Sequence, residues 1–140
     1  MIPQTAEYAL RAVVWLAGQG TAARTSDQIA TATQVPPRYL YKVLQMLTQA
    51  GLAHSQPGPR GGYSLARTPR KITILEVINA VAPIERIESC PLKLKSHATT
   101  LCALHHELDQ AYAHIEKAFQ RVTVAQLLRG DSSVTPLCDA

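Results

Sequence analysis

The chain has 140 residues, a net charge of +4 at pH 7 and a hydrophobic fraction of 46%. This length fits one domain, or a domain with an appendage, and is sufficient for a packed core. No apolar run approaches the roughly 18 residues of a membrane span, and the N-terminus lacks the charged-then-apolar pattern of a signal peptide, so we expect a cytoplasmic protein.

The charge is distributed unevenly along the chain. Residues 1–71 hold eight Lys and Arg residues against two acids, a net charge of +6, whereas residues 72–140 hold six against eight, a net charge of −2. A basic half favours a nucleic-acid partner, although composition alone leaves a merely soluble basic surface open. The three cysteines are Cys90, Cys102 and Cys138. Structural disulfides are rare in the cytoplasm, which leaves metal binding, redox chemistry or plain burial.

The chain begins with a predicted helix of about three turns, capped by Thr5 and closed at Gly18. A second helix is predicted to start at a capping box formed by Thr25 and Gln28. Two prolines, Pro36 and Pro37, break that helix and suit the first turn of a third.

The third helix has two distinct sides. An apolar stripe at helical spacing predicts a buried face and consists of Leu40, Val43, Leu44 and Leu47. The opposite side carries side chains that can reach phosphates and base edges, namely Arg38, Tyr41, Lys42 and Gln45. A helical pair with a solvated polar face would show the same pattern, so the segment that follows decides between these readings.

A hairpin is predicted directly after the third helix. Its strands, Leu52–Gln56 and Tyr63–Arg67, flank a loop rich in glycine and proline that carries Arg60 at its tip. A helix-turn-helix followed by such a hairpin is a winged helix. Arg60, with Arg67, Arg70 and Lys71 behind it, is then placed to touch a DNA backbone or minor groove.

The second half of the chain predicts a linker and a long helix. A capping box at Thr73 and Glu76 starts a fourth helix, and Ile84–Thr100 has no clean period and is predicted to be a loop. From Leu101 an apolar seam at heptad spacing predicts a long helix that needs a partner surface. The seam consists of Leu101, Leu104, Leu108, Ala111, Ile115, Ala118 and Val122.

These elements give a mainly α fold, a winged helix-turn-helix with a two-stranded β wing and a long C-terminal dimerisation helix. The predicted units are a DNA-binding domain over 1–82, a sensor loop over 83–100, a dimerisation helix over 101–129 and a flexible tail over 130–140. The last apolar residues of the third unit are expected to return to the body of the domain.

The sequence resembles the Rrf-two family of bacterial winged-helix transcription regulators over nearly its whole length, to about Leu128. The matching segments are Thr5–Arg11, Ile29–Ala30, Pro36–Leu40, Leu47 with Ala50–Leu52, Gly58–Ala66, Ile72–Thr73, Val77–Ile78 and Ala80–Val81. One departure is at Pro57, where many relatives carry an arginine, which leaves open which residue makes the wing contact. The resemblance implies a homodimer that crosses on the long helix, and symmetric dimers suit palindromic operators in double-stranded DNA.

The predicted DNA-binding residues lie at the start of the third helix and on the wing. They are Pro37, Arg38, Tyr39, Tyr41, Lys42 and Arg60. Arg38, Tyr39, Tyr41 and Lys42 are expected in the major groove, whereas Pro37 sets the helix entrance and touches sugar or phosphate. Tyr39 has an alternative role in packing onto the first helix.

The resemblance also implies an input site. In cluster-binding relatives three evenly spaced cysteines precede the dimer helix, and Cys90 and Cys102 match the outer two, with Ser96 in the middle. His105 matches a histidine ligand of some relatives, and Glu7 an acid that others supply from the partner subunit. Cys90, Cys102, His105 and Glu7 are therefore the expected ligands of a [2Fe–2S] cluster that senses redox state, nitric oxide or iron–sulphur status.

Other readings of the input residues stay open. Cys90 and Cys102 could form a thiol switch without metal, His97 could replace Glu7 as a ligand, or the cysteines could simply be buried. No nucleophile–base–acid order or phosphate-cradling loop indicates an enzyme, whereas a protein-interaction module remains an alternative because winged helices sometimes bind proteins.

Overall fold

A computed structural model of the chain describes residues 2–130 and 133–137. Within them the chain forms six α-helices and a two-stranded antiparallel sheet, as the predicted winged helix-turn-helix requires. In chain order these are α1 (Gln4–Ala17), α2 (Ser26–Thr33), α3 (Pro37–Gln49), β1 (Ala53–Gln56), β2 (Gly62–Leu65), α4 (Ile74–Val81), α5 (Ala103–Gln120) and α6 (Val124–Leu128).

Helix α1 begins earlier than predicted. Its N-cap is Pro3 rather than Thr5, and the Pro3 carbonyl accepts hydrogen bonds from the amides of Ala6 and Glu7 at 3.0 and 3.2 Å. Proline suits this position because its fixed φ sets the extended entry and its missing N–H needs no partner. Trp15 packs against the core.

The two predicted capping boxes are present. Thr25 and Gln28 exchange hydrogen bonds of 3.2 and 3.0 Å at the start of α2, and Thr73 and Glu76 do the same at the start of α4. A third capping box, which sequence analysis did not predict, starts α6 at Thr123. These local bonds fix where three of the helices begin, independently of long-range packing.

The turn between α2 and α3 orients the third helix on the core. Gln34 ends α2 with a left-handed φ of 55°, and Pro36 is the N-cap of α3. The predicted buried stripe of α3 is confirmed, since each of its four side chains is at most 1% exposed, and they are Leu40, Val43, Leu44 and Leu47. The polar side of α3 therefore faces away from the body of the domain.

The core forms around α1. This helix packs against α2, α3, α4 and α6 and also touches β2. Val124 of α6 is fully buried, which confirms that the segment after α5 returns to the body. Beyond α6, Leu137 packs against the core, whereas Cys138 and the other end residues of the predicted tail lie outside the described residues.

The wing is shorter than predicted at its base, where β1 begins at Ala53 and β2 ends at Leu65. Strands β1 and β2 pair antiparallel from Ala53↔Leu65 to Gln56↔Gly62. Arg67 lies beyond β2 and donates a hydrogen bond of 2.8 Å to Glu76, the acid of the α4 capping box. Arg67 therefore holds the base of the wing to α4, whereas sequence analysis placed it with the DNA-facing cations.

An irregular linker joins α4 to α5, as predicted, with one short 3₁₀ turn at Lys95–His97. An arginine clamp fastens the linker to α5. Arg86 donates through Nε and Nη2 to the two carboxylate oxygens of Asp109, both at 2.7 Å, and through Nη1 to Glu116 at 2.9 Å. The Ile87 amide also donates to Asp109, at 2.9 Å.

Helix α5 exposes much of its predicted seam. The helix starts at Ala103, with Cys102 as N-cap, two residues after the predicted start. The exposed fractions of Leu104, Leu108 and Ile115 are 63%, 44% and 41%. The seam is thus left uncovered by its own protomer. No helix of the described residues is long and apolar enough to cross a membrane.

Candidate functional site

The N-terminal half of α3 presents a continuous polar and aromatic face. Its exposed side chains include five of the residues predicted to bind DNA, which are Pro37, Arg38, Tyr39, Tyr41 and Lys42. They share the helix with the buried leucine and valine stripe, so packing of that stripe fixes the direction in which they point. The Gln45 amide donates to the Tyr41 hydroxyl at 3.1 Å, which restrains that ring.

A stack of aromatic and cationic groups connects α3 to α1. The Arg38 guanidinium carbon lies 5.8 Å from the Tyr39 ring centroid, and the Tyr39 and Tyr8 centroids are 6.1 Å apart. Arg11 continues the stack with its guanidinium carbon 5.5 Å from the Tyr8 centroid. Tyr39 thus contacts α1, the alternative role considered for it, while half of its surface stays exposed.

Arg11 is held in place by α1 and α2. Its guanidinium pairs with Glu7 at 3.1 Å and donates to the Thr33 carbonyl at 3.3 Å. Sequence analysis did not connect Tyr8 and Arg11 to the α3 face. The spacing of Glu7 and Arg11, one helical turn apart, was the available signal, but it indicated only a surface ion pair.

The wing tip presents Arg60 to solvent. The Gly61 amide donates to the Gly58 carbonyl at 2.9 Å, which closes the tip into a tight turn, and Gly58 has a left-handed φ of 100°. Glycine adopts this conformation at low steric cost because it has no Cβ. Arg60 and Lys42 make no ion pair with a described residue, so both cations remain available to an outside partner.

The expected cluster ligands fall into separate places in one protomer. Cys102 Sγ lies 3.4 Å from His105 Nδ1, and Cys90 Sγ lies 3.6 Å from His97 Nδ1. Glu7 lies on α1 in its pair with Arg11. The described residues of one protomer bring together no three His, Cys, Asp or Glu side chains that could hold a metal.

The two thiol–histidine pairs have the donor chemistry that iron accepts, but one protomer does not bring the two pairs together. Thiolate sulphur and imidazole nitrogen both bind iron in [2Fe–2S] proteins. Cys90 is buried, whereas Cys102 is half-buried at the start of α5. A cluster site on these residues therefore needs a rearrangement of the linker between Cys90 and Cys102, or donors from a second subunit that complete one of the pairs.

Known proteins resemble this chain over most of its length. A protein of Aquifex aeolicus assigned as an HTH-type transcriptional regulator is 33% identical over 127 residues, which cover 89% of this chain and 88% of the relative. Two solved structures share the fold. T. potens IscR has a TM-score of 0.72 at 24% identity, with 92% of this chain and 86% of that chain covered. CymR, the global cysteine regulator of B. subtilis, has a TM-score of 0.74 at 23% identity, with 91% and 95% covered.

The family model described as Rrf2, an iron-dependent transcriptional regulator, matches residues 2–130. That span contains α1 to α6, the wing and both thiol–histidine pairs. The family comprises transcriptional regulators and not enzymes. The resemblance found in the sequence is therefore confirmed, and this chain belongs to the Rrf2 family of DNA-binding transcriptional regulators.

Proposed function

We propose that the protein reads a palindromic operator as a homodimer. In each subunit the exposed face of α3 enters the major groove, where Arg38, Tyr39, Tyr41 and Lys42 meet base edges and phosphates. Pro37 lies at the backbone and Arg60 of the wing contacts the flanking backbone or minor groove. The observation that carries this proposal is the exposure of the five α3 side chains on one helix whose other side is buried.

The proposed roles of Arg38 and Lys42 predict different effects of substitution. Arg38→Ala should relax base preference, since arginine can bind a guanine edge through two hydrogen bonds, a contact worth about 1–3 kcal/mol. Lys42→Ala should weaken binding to all duplexes alike and lower the salt slope by about 0.9, as expected for one lost phosphate contact. Fluorescence anisotropy titrations against selected and scrambled duplexes measure both effects.

Lys117→Ala is the matched control because it removes one exposed cation from α5. It should leave affinity, base preference and salt slope unchanged. Equal losses for Arg38→Ala and Lys42→Ala on every duplex would show that Arg38 is not the base reader. A protein-interaction module would instead bind no duplex and show no steep salt dependence.

We further propose that the regulator receives its signal at a [2Fe–2S] cluster at the dimer interface. The cluster would be held by Cys90, Cys102 and His105, with Glu7 of the partner subunit as the further donor. The short Cys102–His105 distance and the iron-dependent description of the family support this assignment. A bound cluster supplies one-electron redox chemistry and sensitivity to oxidants. Among the proposed ligands, Cys90 lies in the linker between α4 and α5, and Cys102 and His105 lie at the start of α5.

A thiol switch is the second candidate, favoured by the two free cysteines, Cys90 in the linker and Cys102 at the start of α5. An oxidant such as peroxide converts a cysteine thiol to a sulphenic acid, which can condense with a second thiol to form a disulphide. Such a switch needs Cys90 and Cys102 but neither iron nor Glu7. The two candidates therefore differ in what the purified protein contains.

Anaerobic purification followed by iron and sulphide analysis and a visible absorption spectrum distinguishes the candidates. The cluster predicts equal amounts of iron and acid-labile sulphide, a visible band, and loss of both in Cys102→Ser, with retention in Cys138→Ser. If the purified protein contains no iron and its operator affinity responds to peroxide, and if Cys102→Ser abolishes that response, the thiol switch is supported and the cluster is contradicted. An iron-free protein whose operator affinity does not respond to peroxide would contradict both candidates.

A further inference from the structure

Arg24 lies at the root of the wing, immediately before the N-cap of α2. Its amide donates to the Tyr63 carbonyl at 2.8 Å, and the Tyr63 amide donates to the Arg24 carbonyl at 2.7 Å. This antiparallel bridge adds Arg24 to the wing sheet beside β2. The backbone of Arg24 is therefore fixed both to the wing and to the helix that packs against α3.

Gly62 permits this close approach. Its φ is +142°, a conformation that favours glycine, and a Cβ at this position would collide with the Arg24 carbonyl. The contact between Arg24 and the wing thus depends on backbone packing and not on the Arg24 side chain. A substitution that shortens this side chain should leave the bridge in place.

The Arg24 guanidinium has unused hydrogen-bond donors. Its Nε is buried and has no hydrogen-bond partner in the described part of the chain. The terminal nitrogens likewise form no hydrogen bond or ion pair with a described residue, and Asp27, a nearby acid in sequence, does not pair with them. The Arg24 side chain is partly exposed, and its unpaired terminal nitrogens, unlike Nε, are not buried, so they are suited to an acceptor from outside the chain.

We propose that Arg24 binds a phosphate oxygen of the DNA backbone beside the wing. This inference rests on the proposed mode of DNA reading by α3 and the wing, and it adds a contact that fixes the angle between them. A guanidinium presents several N–H groups in a planar fork that matches phosphate oxygens. The surrounding half of the chain, with its net charge of +6, attracts the same polyanion.

Salt-dependent DNA binding of full-length variants tests the assignment. Wild type, Arg24→Ala, Arg24→Lys and the control Arg121→Ala, which removes an exposed cation at the end of α5, are titrated against one labelled duplex at several salt concentrations. We expect Arg24→Ala to weaken binding about tenfold at low salt and to lower the salt slope by about 0.9. Arg24→Lys should restore the slope but only part of the affinity, because lysine keeps the charge and loses the fork. Arg121→Ala should match wild type.

Failure of this inference can be distinguished from failure of the proposed function. If wild-type DNA affinity depends steeply on salt and Arg24→Ala has the same affinity and salt slope, the Arg24 contact is contradicted, whereas DNA binding by α3 is not. A wild-type protein that does not bind the duplex at low salt would contradict the proposed DNA binding itself. Thermal unfolding checks the fold of each variant, and Arg24→Gln, which keeps most of the side-chain volume, decides the outcome if Arg24→Ala is unfolded.

Discussion

At the scale of single residues, Asp109 shows how one buried carboxylate secures the linker. Hydrogen bonds from Arg86 and from the Ile87 amide lower the pKa of Asp109 to about 2, from an ordinary value of 3.8, against the opposing effect of burial. A depressed pKa in the folded state contributes stability that is fully present above the ordinary value. That contribution is lost as the pH falls from about 4 towards 2.

We therefore predict that the thermal midpoint of the protein falls as the pH is lowered through this range. Asp109→Asn should lower the midpoint at pH 7, by roughly 5–10 °C, because Arg86 then loses its two-bond contact with a carboxylate and keeps only the single bond to Glu116. The variant should also show a flatter pH dependence between pH 4 and pH 2. Differential scanning calorimetry across that range measures both effects.

Glu107→Gln is the control for this prediction. Glu107 is exposed on the same helix and forms no ion pair with a described residue. Its replacement should leave the thermal midpoint at pH 7 within about 1 °C of wild type, as is usual for surface substitutions. A midpoint of Asp109→Asn that follows the wild-type curve at every pH would show that the clamp adds no stability.

At the scale of elements, the parts that sequence analysis predicted are those with local causes. The capping boxes at Thr25 and Thr73 use two side chains three residues apart, so the sequence alone specifies them. The buried stripe of α3 follows from helical periodicity in the same way. The wing was predictable because glycine permits the backbone conformations of a tight turn and proline fixes its own φ, both of which are local effects.

The elements that were missed depend on contacts between distant segments. Arg24 pairs with Tyr63, and Arg86 with Asp109 23 residues away, and no periodic pattern connects either pair. The N-cap of α1 was missed for a different, local reason: the Thr5 hydroxyl offered a plausible cap, whereas the Pro3 carbonyl accepts the first amides. The candidate ligands divide in the same way. The family resemblance implied Cys102 with His105, which are three residues apart and in contact, whereas the distant candidate Glu7 lies in its pair with Arg11 on α1.

At the scale of the whole molecule, the exposed seam of α5 is the strongest reason to expect a second subunit. The seam continues into an open groove of about 1030 Å³, whose apolar walls include Ile84, Tyr112, Ile115 and Phe119. An apolar face of this kind on an 18-residue helix is unusual for a protein that stays monomeric. A second copy supplies the same face by two-fold symmetry, which makes the contact self-complementary.

We predict that the wild-type protein sediments as a dimer at micromolar concentration and that Leu108→Glu sediments as a monomer, as measured by sedimentation velocity. Two carboxylates, one from each subunit, would be forced into an apolar contact, where burial of an unpaired charge is costly. Operator affinity should fall by about 100-fold or more, because each subunit then binds one half-site without the other.

Lys117→Glu is the control: it places a carboxylate on the opposite side of α5 and should remain dimeric with little loss of affinity at moderate salt. If Leu108→Glu remains a dimer, the subunits associate elsewhere and the α5 seam has another role. If it is monomeric but binds the operator as tightly as wild type, operator binding does not require the dimer.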